Sequence, residues 1–158
     1  MLRALKLAHI VGLVIFLGSI LTFIVISALI ENASLENIAF GRRIISTGTS
    51  VLTLPGMWLI AVSGFCRGYL LYGWQQRFFQ IKFLLVTLII LNAYLFIVPA
   101  ATSATEIAMR SLAEGQLLPE YKAAYMRETI FGAVNVLLAL TAAVVGVWRV
   151  GVKDNTQA

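Results

Sequence analysis

With 158 residues, 60% apolar side chains, 12% charged residues and a net charge of +5, the chain reaches a mean hydropathy of +0.92. Soluble domains carry roughly 25% charged residues, so this composition excludes a soluble globular enzyme and places the chain in a lipid bilayer. The surplus Lys and Arg lie beside apolar runs, where they orient spans and meet anionic lipid, and they give no ground for nucleic-acid binding.

The first apolar run, Leu7 to Ile30, contains one ionisable side chain, His9, which is also the only histidine of the protein. At ~1.5 Å per residue about 24 residues more than cross a ~30 Å hydrocarbon layer, so the run predicts an uncleaved transmembrane helix. His9, Gly12, Phe16, Ser19, Phe23 and Ser27 recur every three or four residues and predict the bundle-facing stripe. Val11, Ile15 and Leu29 predict the lipid face. Glu31 to Arg43 reads as a polar connection with an amphipathic middle.

The second span is expected over about 44–66, with Ser46, Thr49, Thr53, Gly56, Ile60, Ser63 and Arg67 on its inner stripe and a kink at Pro55-Gly56. Gly64 and Gly68 form a GxxxG match, read here as a glycine exit turn ahead of a close-packing contact. Cys66, the single cysteine, excludes an internal disulfide and an iron–sulfur cluster built by one chain. Tyr69, Tyr72 and Trp74 beside Arg67 and Arg77 mark a headgroup-level belt. The third span is expected over about 78–99, with Lys82 near its start; such a lysine either snorkels to the interface or serves a site.

Ser103 with Glu106 reads as a capping box and Gly115 as a stop, which predicts a short amphipathic helix lying on the membrane surface. Pro119-Glu120 starts another helix that runs into a fourth span over about 129–150, with Gly132, Asn135, Ala139, Ala142 and Gly146 as its packing face. The expected fold is therefore all-α: one integral membrane domain, a four-transmembrane-helix bundle with amphipathic surface helices in the non-cytoplasmic connections.

Four spans put both termini on one side. That side carries Arg3, Lys6, Arg67, Arg77, Lys82, Arg149 and Lys153 against Asp154, while the other carries five basic residues against six glutamates. The positive-inside rule then places both termini in the cytoplasm. His9 and Lys82 fall at nearly one depth from that edge, and Arg67 and Arg149 end their spans beside them, whereas Met57 lies roughly 10 Å deeper. A site is expected in this layer.

The segment LKLAHIVGLVIFLG, the entry to the second span through Arg42-Arg43 with TLPG at Thr53 to Gly56, and QIKFLLVTLIILNAYLF in the third span carry a resemblance. The chain resembles the superfamily of small four-helix bacterial membrane proteins that includes CopD-like domains and HemJ-type protoporphyrinogen oxidases. In the HemJ type a first-span histidine and an early third-span lysine matter for function and haem b is associated; His9 and Lys82 stand at those positions. The chain lacks the oxidases' tryptophan after the first-span histidine, their Pro-Arg pair and a third-span histidine, so it resembles the superfamily, and its uncharacterised branch, more than the oxidase. The resemblance implies a bacterial inner-membrane oxidoreductase.

Were haem to bind, neutral His9 would be the axial ligand, Arg67 and Arg149 would neutralise the propionates, and Lys82 would take the catalytic or sixth-position role. One histidine per chain permits bis-imidazole ligation only in a homodimer. Within the same class, His9 and Lys82 could hydrogen-bond a quinone. A different class stays open: a non-enzymatic accessory or scaffold subunit of a larger complex, in which His9 is packed and bonded to a Ser or Thr of a neighbouring helix. No Walker loop, GxSxG or HExxH motif is present, and no Met-rich or His-rich cluster supports copper handling.

Overall fold

The structure, a computed structural model, describes residues 1–148, and among them every regular element is helical. Helix α1 (Leu2–Ile30) is followed by α2 (Leu35–Gly48), which runs through a π turn at Thr49–Thr53 into α3 (Leu54–Tyr72). Helix α4 (Arg77–Asn92) likewise runs through a π turn at Ala93–Ile97 into α5 (Val98–Glu114), and α6 (Glu120–Trp148) closes the bundle. The result is four rods, of which the two central ones, Leu35–Tyr72 and Arg77–Glu114, are 38 residues each. All four are long and apolar enough to cross a membrane. At ~1.5 Å per residue the central rods are about 57 Å long, so they overshoot a ~30 Å hydrocarbon layer.

Three boundary expectations need correction for that reason. The polar stretch Glu31 to Arg43 is a short turn followed by helix: the Ser34 hydroxyl caps α2 by accepting the Asn37 N–H at 3.4 Å, and such a cap starts a helix whatever its hydropathy. The stretch beyond Arg67 also stays helical to Tyr72. The chain leaves the helix at Gly73, whose φ of 68° is the backbone an L side chain avoids. Finally, no separate helix starts at Ser103. That residue sits inside α5, and only the stop at Gly115, in the left-handed region, matches expectation.

Each π turn ends two residues ahead of a proline, Pro55 or Pro99. Leu54 N–H bonds to Thr49 O and Val98 N–H to Ala93 O, each five residues back. A proline ring collides with the carbonyl one turn earlier, and a widened turn accommodates the ring while the rod continues. The irregularity expected at Pro55-Gly56 is therefore the π turn just ahead of it. Pro99, expected to end the third span, is passed in the same way.

Packing divides the molecule by level. At the end holding Ile30 and Gly115, the Arg42 end, Ile38, Ile45, Ala104, Ile107, Ala108, Tyr121 and Ala124 form a closed core with Ile30. Midway, Phe16, Met57, Ile89 and Ala93 form a second core, with Leu138 and Ala139 packed against it. At the other end, the His9 end, α1 lies on α3 through glycines. A Cβ on Gly12 would stand 3.2 Å from Gly56 O, and one on Gly56 would stand 3.0 Å from Phe16 N. Gly12, Phe16 and Ser19 of the expected inner stripe are buried, while Leu29 is 74% exposed. Ile15, expected toward lipid, instead touches α3 beside Gly56.

Candidate functional site

His9 lies half-buried on α1, facing the α3 backbone where Gly64 leaves room for it. A Cβ at position 64 would sit 2.9 Å from the imidazole Cε1 and 3.1 Å from Nδ1, so any other residue there would push the ring outward. The notch lets Nδ1 come within 3.2 Å of Ile60 O and 3.3 Å of Ser63 Oγ. A carbonyl oxygen only accepts, and the Ser63 hydroxyl already donates to Leu59 O. Both neighbours therefore call for a proton on Nδ1, which makes Nε2 the nitrogen with the free lone pair. A histidine whose Nδ1–H is held by a backbone carbonyl has the orientation and tautomer that metal-bound histidines use.

Lys82 reaches across to α6. Its Nζ would stand 2.6 Å from a Cβ at Gly146, and it lies 5.5 Å from the centre of the Phe78 ring, four residues earlier on its own helix. The ammonium thus turns back toward the helix start, as snorkelling lysines do, but stays inside the bundle against a neighbouring helix. Gly64 and Gly146 do the same work on opposite sides of one layer: each is the missing side chain that lets an ionisable group approach.

Arg67, half-buried on α3, lies within electrostatic reach of both His9 and Lys82, and Lys82 within reach of His9. The structure thus brings three of the four expected site residues to one layer; Arg149 lies outside the described residues. Among the described residues no carboxylate pairs with Arg67 or Lys82, since the single ion pair found is elsewhere. A half-buried layer holding one imidazole and two cations without a counter-ion suits an anionic or electron-rich ligand. Among the described residues no three His, Cys, Asp or Glu side chains gather to hold a metal ion, so iron held here would depend on a macrocycle for most of its ligands. Cys66 is a free thiol close by in sequence. The GxxxG pair is a packing contact and not an exit turn. Gly64 receives His9, and Gly68 receives the ring of Phe79, which would lie 2.8 Å from a Cβ at that position.

The ion pair that sequence reasoning missed is at the other end. Arg42 is wholly buried, and its Nη2 donates to Glu128 Oε2 and, at 3.4 Å, to Ala101 O. Thr105 Oγ1 donates to Ala101 O at 2.8 Å, and Tyr121 stacks on Tyr125 with centroids 6.1 Å apart. Arg42 Nε and Nη1 find no acceptor among the described residues. The signal was present, because Ile38, Arg42, Ile45 and Thr49 fall on one helical stripe. It is invisible when residues 31–43 are taken as a connection.

Comparison with family models, with curated proteins and with solved structures finds no match, so the chemistry of the His9 layer has to be argued from its own residues.

Proposed function

We propose that the chain is a four-span inner-membrane protein of the HemJ-like and CopD-like kind, with both termini cytoplasmic, whose His9 binds haem b through Nε2. The observation that carries this is the placement of Nδ1 between Ile60 O and Ser63 Oγ, at 3.2 and 3.3 Å, which calls for the proton there and leaves the Nε2 lone pair free for iron. The residues fit the group. Arg67 would face a propionate, and Lys82, held against Gly146, would supply a second positive charge or a proton donor. Bound haem would supply one-electron chemistry, while the protein holds and orients it. A quinone carbonyl fits less well, because it needs a donor and the one proton of the neutral ring is already used; only Lys82 could then donate. The second reading is the accessory subunit, favoured by the same Ile60 and Ser63 bonds, which satisfy His9 as a packed residue; in it Nε2 has no task.

The visible spectrum of detergent-purified protein, oxidised and dithionite-reduced, separates the two. Near-stoichiometric Soret absorbance that disappears in His9→Ala is the expected result. Colourless wild-type protein from haem-replete cells would overturn the haem assignment and leave the accessory role.

A further inference from the structure

We infer that the His9 end is a two-leaved clamp, which parts between α1 and α6 and admits its ligand sideways from among the lipid chains. This rests on the layer being a ligand site, as proposed above. One leaf is α1 on α3, joined by the Gly12–Gly56 approach and by His9 at Gly64. The other is α4 on α6, joined by Asn92 Nδ2, which donates to Phe131 O at 2.9 Å and Asn135 Oδ1 at 3.2 Å, and by Lys82 at Gly146.

The leaves meet along one seam, α3 against α4. It is aromatic: Phe65 lies 5.5 Å from Phe79 and 5.8 Å from Phe83, and Trp74 lies 5.4 Å from Phe83. The opposite seam is the looser one: among the described residues the α1 and α6 backbones do not approach each other as closely as those of α3 and α4 do. Below the layer Phe16, Met57 and Ile89 make a floor. Beneath it each leaf's central helix joins the Arg42 end through a π turn, where the hydrogen-bond register changes and bending is least opposed. The Arg42 end itself is pinned by its core and by the Arg42–Glu128 pair. The candidate groups are split between the leaves, His9 and Arg67 on one and Lys82 on the other. A ligand held by both would draw the leaves together, and no water-side entrance is needed for a lipophilic one.

The test uses the full chain with Cys66→Ala, in lipid nanodiscs. Spin labels go at positions 7 and 147, where Leu7 is 63% and Val147 78% exposed, and at positions 29 and 126 as the control pair at the Arg42 end. Pulsed EPR is expected to give a distance distribution about twofold broader for 7–147 than for 29–126, as a mobile seam requires. A bifunctional maleimide bridging cysteines at 7 and 147 is expected to slow hemin uptake from vesicles about tenfold, while a bridge at 29 and 126 leaves it unchanged. Equal widths at the two ends, or uptake indifferent to the 7–147 bridge, would overturn the clamp. If unbridged protein takes up no hemin, the haem assignment falls, and the distance widths alone decide for or against the clamp.

Discussion

Arg42 and His9 show two ways of placing an ionisable side chain inside an apolar bundle. Arg42 is fully enclosed and is answered by Glu128; His9 is half-enclosed and is answered on one nitrogen only. The first arrangement is structural in its energetics. Removing one partner of a buried pair typically costs about 3–5 kcal/mol because the remaining charge is stranded, whereas replacing both by apolar groups is often neutral. Glu128→Leu is therefore expected to destabilise the bundle by about 3–5 kcal/mol, and Arg42→Met combined with Glu128→Leu to recover most of that loss. Denaturant titration in detergent would show it; a double variant as weak as Glu128→Leu alone would mean that the pair is not what holds these helices. Neither partner is hard to see once the helix is known to begin at Leu35, since Arg42 then lies on the stripe of Ile38 and Ile45. His9 and Lys82 were legible from their apolar surroundings alone. What the sequence could not disclose is that each rests on a glycine of another helix, because Gly64 and Gly146 are far from them in the chain.

At the scale of the element, hydropathy located the four apolar stretches but not the full length of the helices that contain them. Hydropathy reports which residues are apolar, while helix ends are set by Ser34, Gly73 and Gly115, and these lie beyond the apolar runs. Pro99 misled in the same direction, because the π turn ahead of it removes the clash that would otherwise end the helix, whereas Pro55 did mark an irregularity, the π turn at Thr49–Thr53. Besides the apolar cores, close glycine packing and polar pairs join the rods. In membranes interhelical hydrogen bonds average about 0.6 kcal/mol and reach about 1.7, whereas overpacking a tight contact costs about 1–3 kcal/mol. Gly56→Leu, which drives a side chain at the Phe16 backbone, is thus expected to destabilise more than Asn92→Leu. Gly18→Leu should do almost nothing, since nothing lies within 4 Å of the added carbon. Ranking the three by detergent unfolding checks this; Asn92→Leu as the most damaging change would show that polar pairing dominates.

For the whole molecule, the contrast between the ends underlies the proposed function. The Arg42 end is a closed core whose carboxylate is paired, and the His9 end is a half-buried layer of positive charge with no carboxylate partner among the described residues. Long exposed apolar faces, with Val14 at 69%, Leu137 at 63% and Leu95 at 62%, would be costly in water and cost little in lipid. If the positive-inside rule sets the orientation, the His9 layer faces the cytoplasmic leaflet. The two ends then differ in how their charge is answered, by a buried ion pair at one and by no carboxylate among the described residues at the other.

The His9 Nε2 can be watched directly, because His9 is the only histidine and feeding cells 15N-histidine labels this residue alone. The measurement is the 15N NMR spectrum of the labelled protein at neutral pH, before and after hemin is added. The expected spectrum is that of a neutral ring with the proton on Nδ1 and a bare Nε2, whose resonance hemin shifts or broadens beyond detection. A ring protonated on Nε2, with both resonances unmoved by hemin, would contradict haem ligation by His9.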